Sequence, residues 1–327
     1  VAYDYLYEVF RRAVNLPTDD PLVAAGVPSR LRFETTHYLD GSVNYSTEPA
    51  AGGLAEEALS PTYNSLGMPR TLTGTTGLVL DTQYSPLGDT QQVTLGIDST
   101  STKKVYVTNS YEPGTRRLTR QSVKDTTNAW MASDLAYTYD HAGNVRSTSD
   151  TATMGGAGKA DHQCFSYDGY RRLTNAWTPS TAGCSTENRT VATLGGAAPY
   201  WSTFSYNNAG LRTKEVTHAT AGETTTTYTY GSTYTHRLSK TTTTKPDGTS
   251  TSASYTYDAT GNTLTRPGVQ GTQTLTWDAE GRMAANAEPA KGTAAARNTS
   301  YVYDADGSLL IRRPTSGDGE TVLYLGA

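Results

Sequence analysis

The sequence predicts an all-β protein built from repeated antiparallel β-hairpins in one continuous array. Three observations lead to this prediction. A short phrase, an aromatic residue followed by Asp, Asn or Ser and then by Gly three positions later, recurs along most of the 327 residues. Tyr and Thr alternate in front of this phrase, as they do in pleated strands. The hydrophobic content is only 35% and the mean hydropathy is −0.54, which suits a sheet with an exposed face better than a compact core.

The residues before each Asp predict a strand with one aromatic face. In Tyr255-Thr256-Tyr257 the two rings share a face, because side chains alternate along a strand. The same spacing recurs at Tyr137/Tyr139, Phe165/Tyr167, Phe204/Tyr206, Tyr228/Tyr230 and Tyr301/Tyr303, with Leu275/Trp277 as a variant. One face of the array is therefore a row of large rings, and the other is small and mostly hydroxylated.

The residues from Asp to Gly predict a type I turn. Asp at the first position accepts a hydrogen bond from the backbone two residues on, and Gly at the fourth adopts the left-handed conformation. The return strand then leaves through a β-bulge. The predicted turn caps are Asp140, Asp258, Asp278 and Asp304, and the predicted turn glycines are Gly143, Gly210, Gly261, Gly281 and Gly307.

The phrase occurs in full and degenerate copies. Full copies begin at Tyr63, Tyr84, Tyr139, Tyr206, Tyr257, Trp277 and Tyr303, and degenerate ones at Tyr38, Tyr111, Tyr167 and Tyr230. In the Tyr167 copy Arg171 replaces Gly, which predicts a turn that is strained or differently built. The interval between copies varies from 20 residues (277 − 257) to 39 residues (206 − 167). A repeat of this length favours stacked units, and its unequal spacing favours a strip over the alternative fold, a β-propeller.

Two segments follow from this pattern. Residues 1–49 form an irregular start with one weak repeat, which includes a Pro- and Asp-rich loop, and residues 50–327 form the array. The stretch Leu54–Leu59 is the one place with a helical look. The chain begins at Val1 without Met and ends in a strand-like stretch, so we expect a segment of a longer polypeptide that continues beyond the C-terminus.

Composition excludes several classes of function. The net charge is −4 and no dense Lys/Arg run is present, so we expect no nucleic-acid partner. No apolar stretch approaches the length of a membrane span. No motif predicts a cofactor.

The candidates for catalysis have a structural alternative. Paired carboxylates are typical of glycosidases, but the Asp residues recur at the same place in every repeat, so turn capping is the preferred interpretation. The five His residues are scattered without the spacing of metal ligands, and no Ser lies in a nucleophile elbow. We therefore predict no catalytic, metal-binding or cofactor-binding residue, and no enzymatic activity.

The rows of Tyr leave two interpretations open. The rings pack on each other and on neighbouring hairpins, or they stack on the sugar rings of cell-surface glycans. With so many copies, packing is the preferred interpretation. A glycan-binding adhesion module is the alternative function.

Cys164 and Cys184 are the two cysteines of the chain. Between them the chain passes through a hairpin and two turn formers, Pro179 and Gly183, and comes back towards its start. We therefore predict a disulfide that clamps the longest insertion, and with it an extracellular or cell-surface location.

The repeated aromatic-Asp-x-x-Gly phrase, followed by Arg or Asn and Leu, resembles the YD repeat of the Rhs family, which includes polymorphic toxins, wall-associated proteins and teneurins. The resemblance covers residues 38–327. It implies a β-strip that spirals into a hollow shell, and in bacterial members the shell encloses a C-terminal toxin. The expected function is therefore a structural wall segment of a secreted protein, whose partners are adjacent repeats and the enclosed domain. The Asp-Pro- and Gly-rich terminator of the family is missing from this sequence, so no plug, self-cleavage or toxin residue is assigned.

Overall fold

The computed structural model describes residues 1–4, 7–152, 160–187, 189–317 and 319–325. In these residues the chain is almost entirely antiparallel β-structure, with a one-turn helix, α1 (Pro21–Ala24), and a 3₁₀ turn at Val191–Thr193. The all-β prediction is confirmed. The chain divides into two compact units, the first made of Val1–Phe165, Thr178–Asn188 and Gly195–Pro199, and the second of the remaining segments.

In the first unit each strand pairs antiparallel with the next one along the chain. Its strands are β1 (Ala2–Tyr3), β2 (Val9–Asn15), β3 (Arg30–His37), β4 (Val43–Glu48), β5 (Glu57–Tyr63), β6 (Pro69–Thr73), β7 (Gly77–Tyr84), β8 (Thr90–Leu95), β9 (Val105–Tyr111), β10 (Leu118–Asp125), β11 (Met131–Tyr139), β12 (Val145–Asp150) and β13 (Asp161–Tyr167), whose last two residues count with the second unit.

The second unit holds two runs of sequentially paired strands. The first run is β14 (Leu173–Trp177), β15 (Trp201–Tyr206), β16 (Arg212–Ala219), β17 (Gly222–Tyr230), β18 (Leu238–Thr244) and β19 (Ser250–Ser254). The second run is β20 (Thr256–Tyr257), β21 (Thr263–Pro267), β22 (Thr272–Trp277), β23 (Met283–Glu288), β24 (Arg297–Tyr303), β25 (Leu309–Ser316) and β26 (Val322–Leu323).

The strand register shifts at the second ring of the phrase. Thr138 lies opposite Ser147, but the next residue, Tyr139, lies opposite Val145, so one residue of the return strand is skipped. Equivalent shifts occur at Tyr63, Tyr84, Tyr206, Tyr230, Tyr257, Trp277 and Tyr303. The return strand thus leaves each turn through a bulge, which increases the local twist.

Two local expectations were wrong. The stretch Leu54–Leu59 is not helical, because Leu54 forms a β-bridge with Ala51 and Leu59 pairs with Ser46 on β4. Six residues are too few to nucleate a helix against this strand pairing. Helix α1 instead lies inside the predicted loop, where the Asp20 carboxylate accepts the Leu22 N–H at 2.9 Å and Pro21 occupies the first turn.

Few side chains are fully buried. In the first unit Leu31, Phe33 and Cys164 are at most 8% exposed, and in the second unit Trp177 and Ile311 are at most 2% exposed. The Cα atoms of Cys164 and Cys184 are 5.5 Å apart and the two residues are disulfide-bonded. Among the described residues, no helix has the length and apolar content needed to cross a membrane.

Candidate functional site: the hairpin ladder

The turn of each copy is closed by the residue that follows the second ring. The Gly143 N–H donates to the Asp140 carbonyl at 3.0 Å, and the Asp140 N–H donates to the Asn144 carbonyl at 2.9 Å. The Asp140 carboxylate also accepts the Asn144 backbone N–H at 2.9 Å. The same side-chain bond to the residue four positions later is made by Asn64, Ser85, Asp168, Asn207, Asp258, Asp278 and Asp304.

This four-residue bond was not anticipated from the sequence. The expected bond, two residues on, is present as well: Asp278 accepts the Glu280 N–H at 2.9 Å and the Arg282 N–H at 2.8 Å. One carboxylate therefore satisfies donors on both sides of the turn, because the bulged return strand brings the later N–H within reach.

Hydrogen bonds lower the pKa of three cap carboxylates, those of Asp140, Asp258 and Asp278. The pKa of Asp258 is lowered to about 2. The largest contribution comes from the hydrogen bond of the Thr260 hydroxyl, and the backbone N–H and side-chain amide of Asn262 add to it. The Asn144 amide lowers the pKa of Asp140, and the Arg282 backbone N–H lowers that of Asp278. A glycosidase acid needs the opposite shift, so the geometry favours capping over the paired-carboxylate hypothesis.

Nine of the described second rings are anchored to the preceding hairpin by their polar tips. The Tyr139 hydroxyl donates to the carbonyl of Leu118, the first residue of β10, at 2.7 Å. Trp277 donates its Nε1–H to the carbonyl of Thr263, the first residue of β21, at 2.8 Å. The same bond, always to the first residue of the preceding return strand, joins Tyr63 to Val43, Tyr84 to Pro69, Tyr111 to Thr90, Tyr206 to Leu173, Tyr230 to Arg212, Tyr257 to Leu238 and Tyr303 to Met283.

These bonds explain an asymmetry in the phrase. The second ring is Tyr or Trp in each of the ten copies from Tyr63 to Tyr303, whereas the first position also accepts Phe165, Phe204 and Leu275. Phe has no donor, so it cannot hold the second position. Packing was the preferred interpretation for both rings, with glycan stacking as the alternative, and this asymmetry is the signal that distinguishes the two ring positions.

Burial keeps three of the ring tips protonated as donors. It raises the pKa of the hydroxyls of Tyr139, Tyr230 and Tyr257 above the ordinary value for tyrosine. The first ring of one copy, Tyr228, behaves differently, since it donates to the Glu215 carboxylate at 2.8 Å. Burial, then the bond to Glu215, raises the pKa of Tyr228 to about 12.

Arginine at the end of several turns adds a third contact. The Arg172 guanidinium forms an ion pair with the cap Asp168 at 2.6 Å and lies 4.8 Å from the ring centre of Tyr206 in the next copy. It also donates to the carbonyl of Asn207, the next cap, at 3.1 Å. Arg117, Arg237 and Arg282 lie over the next second ring in the same way. We call the turn caps, ring tips and arginines together the hairpin ladder.

The degenerate copy at Tyr167 keeps the ordinary turn. The Arg171 N–H donates to the Asp168 carbonyl at 3.0 Å, as Gly does elsewhere, and Arg171 adopts a φ of 63°. Arg116 in the copy at Tyr111 has a φ of 59°. The turn is therefore strained instead of rebuilt, because an L-residue in this conformation brings its Cβ close to a carbonyl oxygen.

The first hairpin is a further copy, which the sequence pattern does not reveal. The Asp4 N–H donates to the Glu8 carbonyl at 2.9 Å, and the Tyr7 N–H donates to the Asp4 carbonyl at 3.2 Å. The Asp4 carboxylate accepts the Glu8 N–H at 3.0 Å. Tyr7, with a φ of 64°, occupies the glycine position, and this substitution hides the phrase.

The copy predicted to begin at Tyr38 begins one residue earlier. The Gly41 N–H donates to the Tyr38 carbonyl at 3.0 Å, so Tyr38 is the cap of this turn and His37 holds the second-ring position. The register shift before His37 supports the same alignment. The ring of Tyr38 suggested the wrong alignment, because the aromatic position in this copy is an imidazole.

The first two copies bring metal-ligating side chains together. One donor atom each from Asp4, Glu8 and His37 lies within 4.8 Å of the other two. His37 Nδ1 is 3.2 Å from Glu8 Oε2. Sequence spacing did not find this group, because His37 comes from a different hairpin.

A second histidine cluster has a simple origin in the sheet. His218 Nδ1 is 2.9 Å from Glu223 Oε1, and His218 Nε2 is 3.3 Å from Thr203 Oγ1. The order hydroxyl, imidazole, carboxylate matches a nucleophile relay. However, Glu223 lies directly opposite His218 in the strand register, and Trp201 stacks on the imidazole at 3.8 Å. Cross-strand pairing accounts for the whole arrangement.

An open cavity lies beside the longest ladder turn. It has a volume of about 450 Å³ and is lined in part by Tyr234, Arg237, Tyr255 and Tyr257. Tyr234 is 50% exposed, and the Arg237 guanidinium lies 3.9 Å from the centre of its ring. The cavity therefore presents aromatic and hydroxyl groups to solvent.

No family model matches the sequence, and no curated protein matches it. Solved structures do match. The chain is similar to the Tc holotoxin pore of Photorhabdus luminescens in a TccC3 mutant form, with 18% identity and a TM-score of 0.69 over 97% of this chain and 15% of that one. It is also similar to the TcdB2–TccC3 complex, with 17% identity and a TM-score of 0.63 over 99% of this chain and 16% of that one.

A TcdB2–TccC3–Cdc42 complex matches with 16% identity and a TM-score of 0.61 over 99% of this chain and 16% of that one. The chain thus spans about one sixth of the length of the chains that it matches. At this level of identity the likeness concerns the fold. This similarity in fold favours a strip of hairpins over the propeller alternative. Together with the repeated phrase, these matches show that the chain has the Rhs-type YD-repeat fold.

Proposed function

We propose that this chain is a non-enzymatic wall segment of a secreted or cell-surface Rhs-type protein, and that the wall encloses a C-terminal toxin or effector domain of the same polypeptide. The single observation that carries the proposal is the hairpin ladder. Caps, ring tips and arginines repeat at equivalent places, and all of them are engaged in contacts within or between hairpins. Such a design supplies rigidity along the whole chain instead of chemistry at one place.

Two further observations support the finer parts of the proposal. The similar solved structures are Tc toxin complexes that are much longer than this chain. The Cys164–Cys184 disulfide favours an oxidising compartment, as in secreted proteins. The partners are accordingly the adjacent repeats and the enclosed domain, without nucleic acid or cofactor.

Limited proteolysis of the full-length polypeptide that contains this segment tests the proposal. In native buffer the C-terminal domain should resist an unspecific protease, and it should be cut once denaturant opens the wall. The C-terminal domain expressed alone is the control, and it should be cut without denaturant. Equal rates of cleavage for the free and the attached domain would contradict enclosure.

The aromatic cavity favours glycan binding as a second candidate function. Tyr234 and Tyr255 offer ring faces on which a sugar can stack. A glycan array with the 327-residue chain should then give hits that Tyr234→Ala removes. Tyr170→Ala is the matched control, because Tyr170 is 83% exposed and lies outside the cavity. An array without hits, or with hits unchanged in Tyr234→Ala, would contradict glycan binding at this cavity, and the wall function would be the one candidate left.

A further inference from the structure

Three positions of the hairpin ladder meet at the turns of the copies at Tyr167 and Trp277: the cap, the residue four positions later and the second ring of the next copy. In the copy at Trp277 these are Asp278, Arg282 and Tyr303. Arg282 forms an ion pair with Asp278 at 2.9 Å, and its guanidinium lies 5.0 Å from the ring centre of Tyr303. The equivalent group at Asp168 has the same composition. A cation is thus held between the cap carboxylate and the next ring.

The first copy fills the same three positions differently. Asp4 is the cap, Glu8 replaces the arginine and His37 replaces the ring. The cationic side chain is therefore exchanged for a second carboxylate, and the phenol for an imidazole. Two carboxylates that share a site repel each other unless a positive charge lies between them.

The geometry of this group is compact and sheltered. The His37 and Glu8 side chains are 14% and 29% exposed, and the facing atoms, His37 Nδ1 and Glu8 Oε2, are themselves buried. They lie 3.2 Å apart but without the geometry of a hydrogen bond, and neither has a hydrogen-bond partner among the described residues. Buried polar atoms of this kind are normally satisfied.

We propose that Asp4, Glu8 and His37 bind a divalent transition-metal ion, with Zn²⁺ as the best match. Two ligands bonded to Zn²⁺ at about 2.0–2.2 Å in a tetrahedral arrangement are about 3.3–3.6 Å apart, close to the separation of the facing atoms. One imidazole and two carboxylates suit Zn²⁺ better than Ca²⁺ or Mg²⁺, which prefer oxygen ligands. The ion takes the place that a guanidinium holds in the copies at Tyr167 and Trp277.

The ion would fasten the first hairpin to the second. Ring tips and arginines do so elsewhere in the ladder, and His37 lacks the phenol for that bond. The competing interpretation is a metal-free ion pair between a protonated His37 and Glu8, and the two interpretations differ in their response to added metal.

The test is titration of the metal-free 327-residue chain with Zn²⁺ by calorimetry, and with Co²⁺ followed by its visible absorption. We expect one ion at this site and at least tenfold weaker binding in His37→Ala and in the isosteric Glu8→Gln. The matched control is His141→Ala, a turn histidine whose removal should leave the affinity unchanged. Circular dichroism without metal checks that each variant is folded.

Absence of binding by the unmodified chain would overturn the proposal. So would equal Zn²⁺ affinity in a folded Glu8→Gln variant and the unmodified chain. A melting temperature that rises with Zn²⁺ in the unmodified chain, and not in Glu8→Gln, would support it independently of the calorimetry.

Discussion

At the scale of the residue, the fourth residue of each turn decides the local backbone strain. Arg171 holds a left-handed backbone conformation that suits glycine. Replacing Arg171 by Gly should therefore raise the free energy of unfolding by about 1 kcal/mol. The measurement is urea unfolding followed by circular dichroism.

The opposite substitution serves as the control. Gly143 has a φ of 89° and nothing but the far end of the Arg117 side chain near its missing Cβ, so Gly143→Ala tests the backbone alone. This variant should lose about 1 kcal/mol. A destabilised Arg171→Gly variant would show that contacts of the arginine side chain outweigh the strain.

The cap carboxylates predict how stability responds to acid. The pKa of Asp258 is about 2 in the folded chain, below the value of about 3.9 in an unfolded chain. Its contribution is therefore complete above pH 4 and is lost as the pH falls towards 2. Asp258→Asn should flatten the loss of stability between pH 4 and pH 2, measured by thermal unfolding at several pH values. Asp306→Asn, an exposed carboxylate on another turn, is the control; if it flattens the curve equally, the assignment to Asp258 fails.

At the scale of the element, each hairpin depends on the ring tip of the next one. Tyr139→Phe removes the hydroxyl and leaves the Leu118 carbonyl without its donor. We expect a loss of about 1 kcal/mol in the free energy of unfolding. Tyr137→Phe is the matched control, since Tyr137 shares the strand face but its hydroxyl makes no hydrogen bond with the described residues. Equal losses of unfolding free energy in the two variants would show that the ring-tip hydrogen bond adds nothing beyond packing of the ring.

The disulfide acts on the insertion that interrupts the ladder. Cys164 and Cys184 are separated by 20 residues, and a closed loop of similar size contributes about 3 kcal/mol in the chain-entropy model. Reduction should lower the free energy of unfolding by about this amount, measured with and without a reductant. The double variant Cys164→Ala/Cys184→Ala should be insensitive to the reductant; a reductant effect in that variant would point to another cause.

At the scale of the whole molecule, the well-packed strand pairs among the described residues are neighbours along the chain, apart from β19 and β21. Repeat proteins with such nearest-neighbour contacts lose structure locally. Tyr303→Phe should therefore accelerate amide hydrogen exchange in β22 to β25 and leave β2 and β3 unchanged, measured by mass spectrometry. Uniform acceleration along the chain would indicate a single cooperative unit instead.

The sequence by itself determined the local structure of this protein. The alternation of Tyr and Thr and the Asp-x-x-Gly turns act over a few residues, so the hairpins, bulges and all-β class follow from spacing alone. The hairpin and the turn formers between Cys164 and Cys184 were also enough to predict their bond. Arg171 shows the limit of such reasoning, because the sequence left open whether its turn is strained or rebuilt.

The tertiary structure decided which residues meet across hairpins. The partner of each ring tip is a carbonyl 14 to 33 residues earlier, and the identity of a residue does not show what its backbone carbonyl will accept. The group of Asp4, Glu8 and His37 was hidden for a related reason: Tyr7 and His37 replace the Gly and the ring that mark the phrase, although the backbone geometry is kept. Contacts of this kind depend on the strand register, which fixes side chains from separate hairpins at distances that no local pattern specifies.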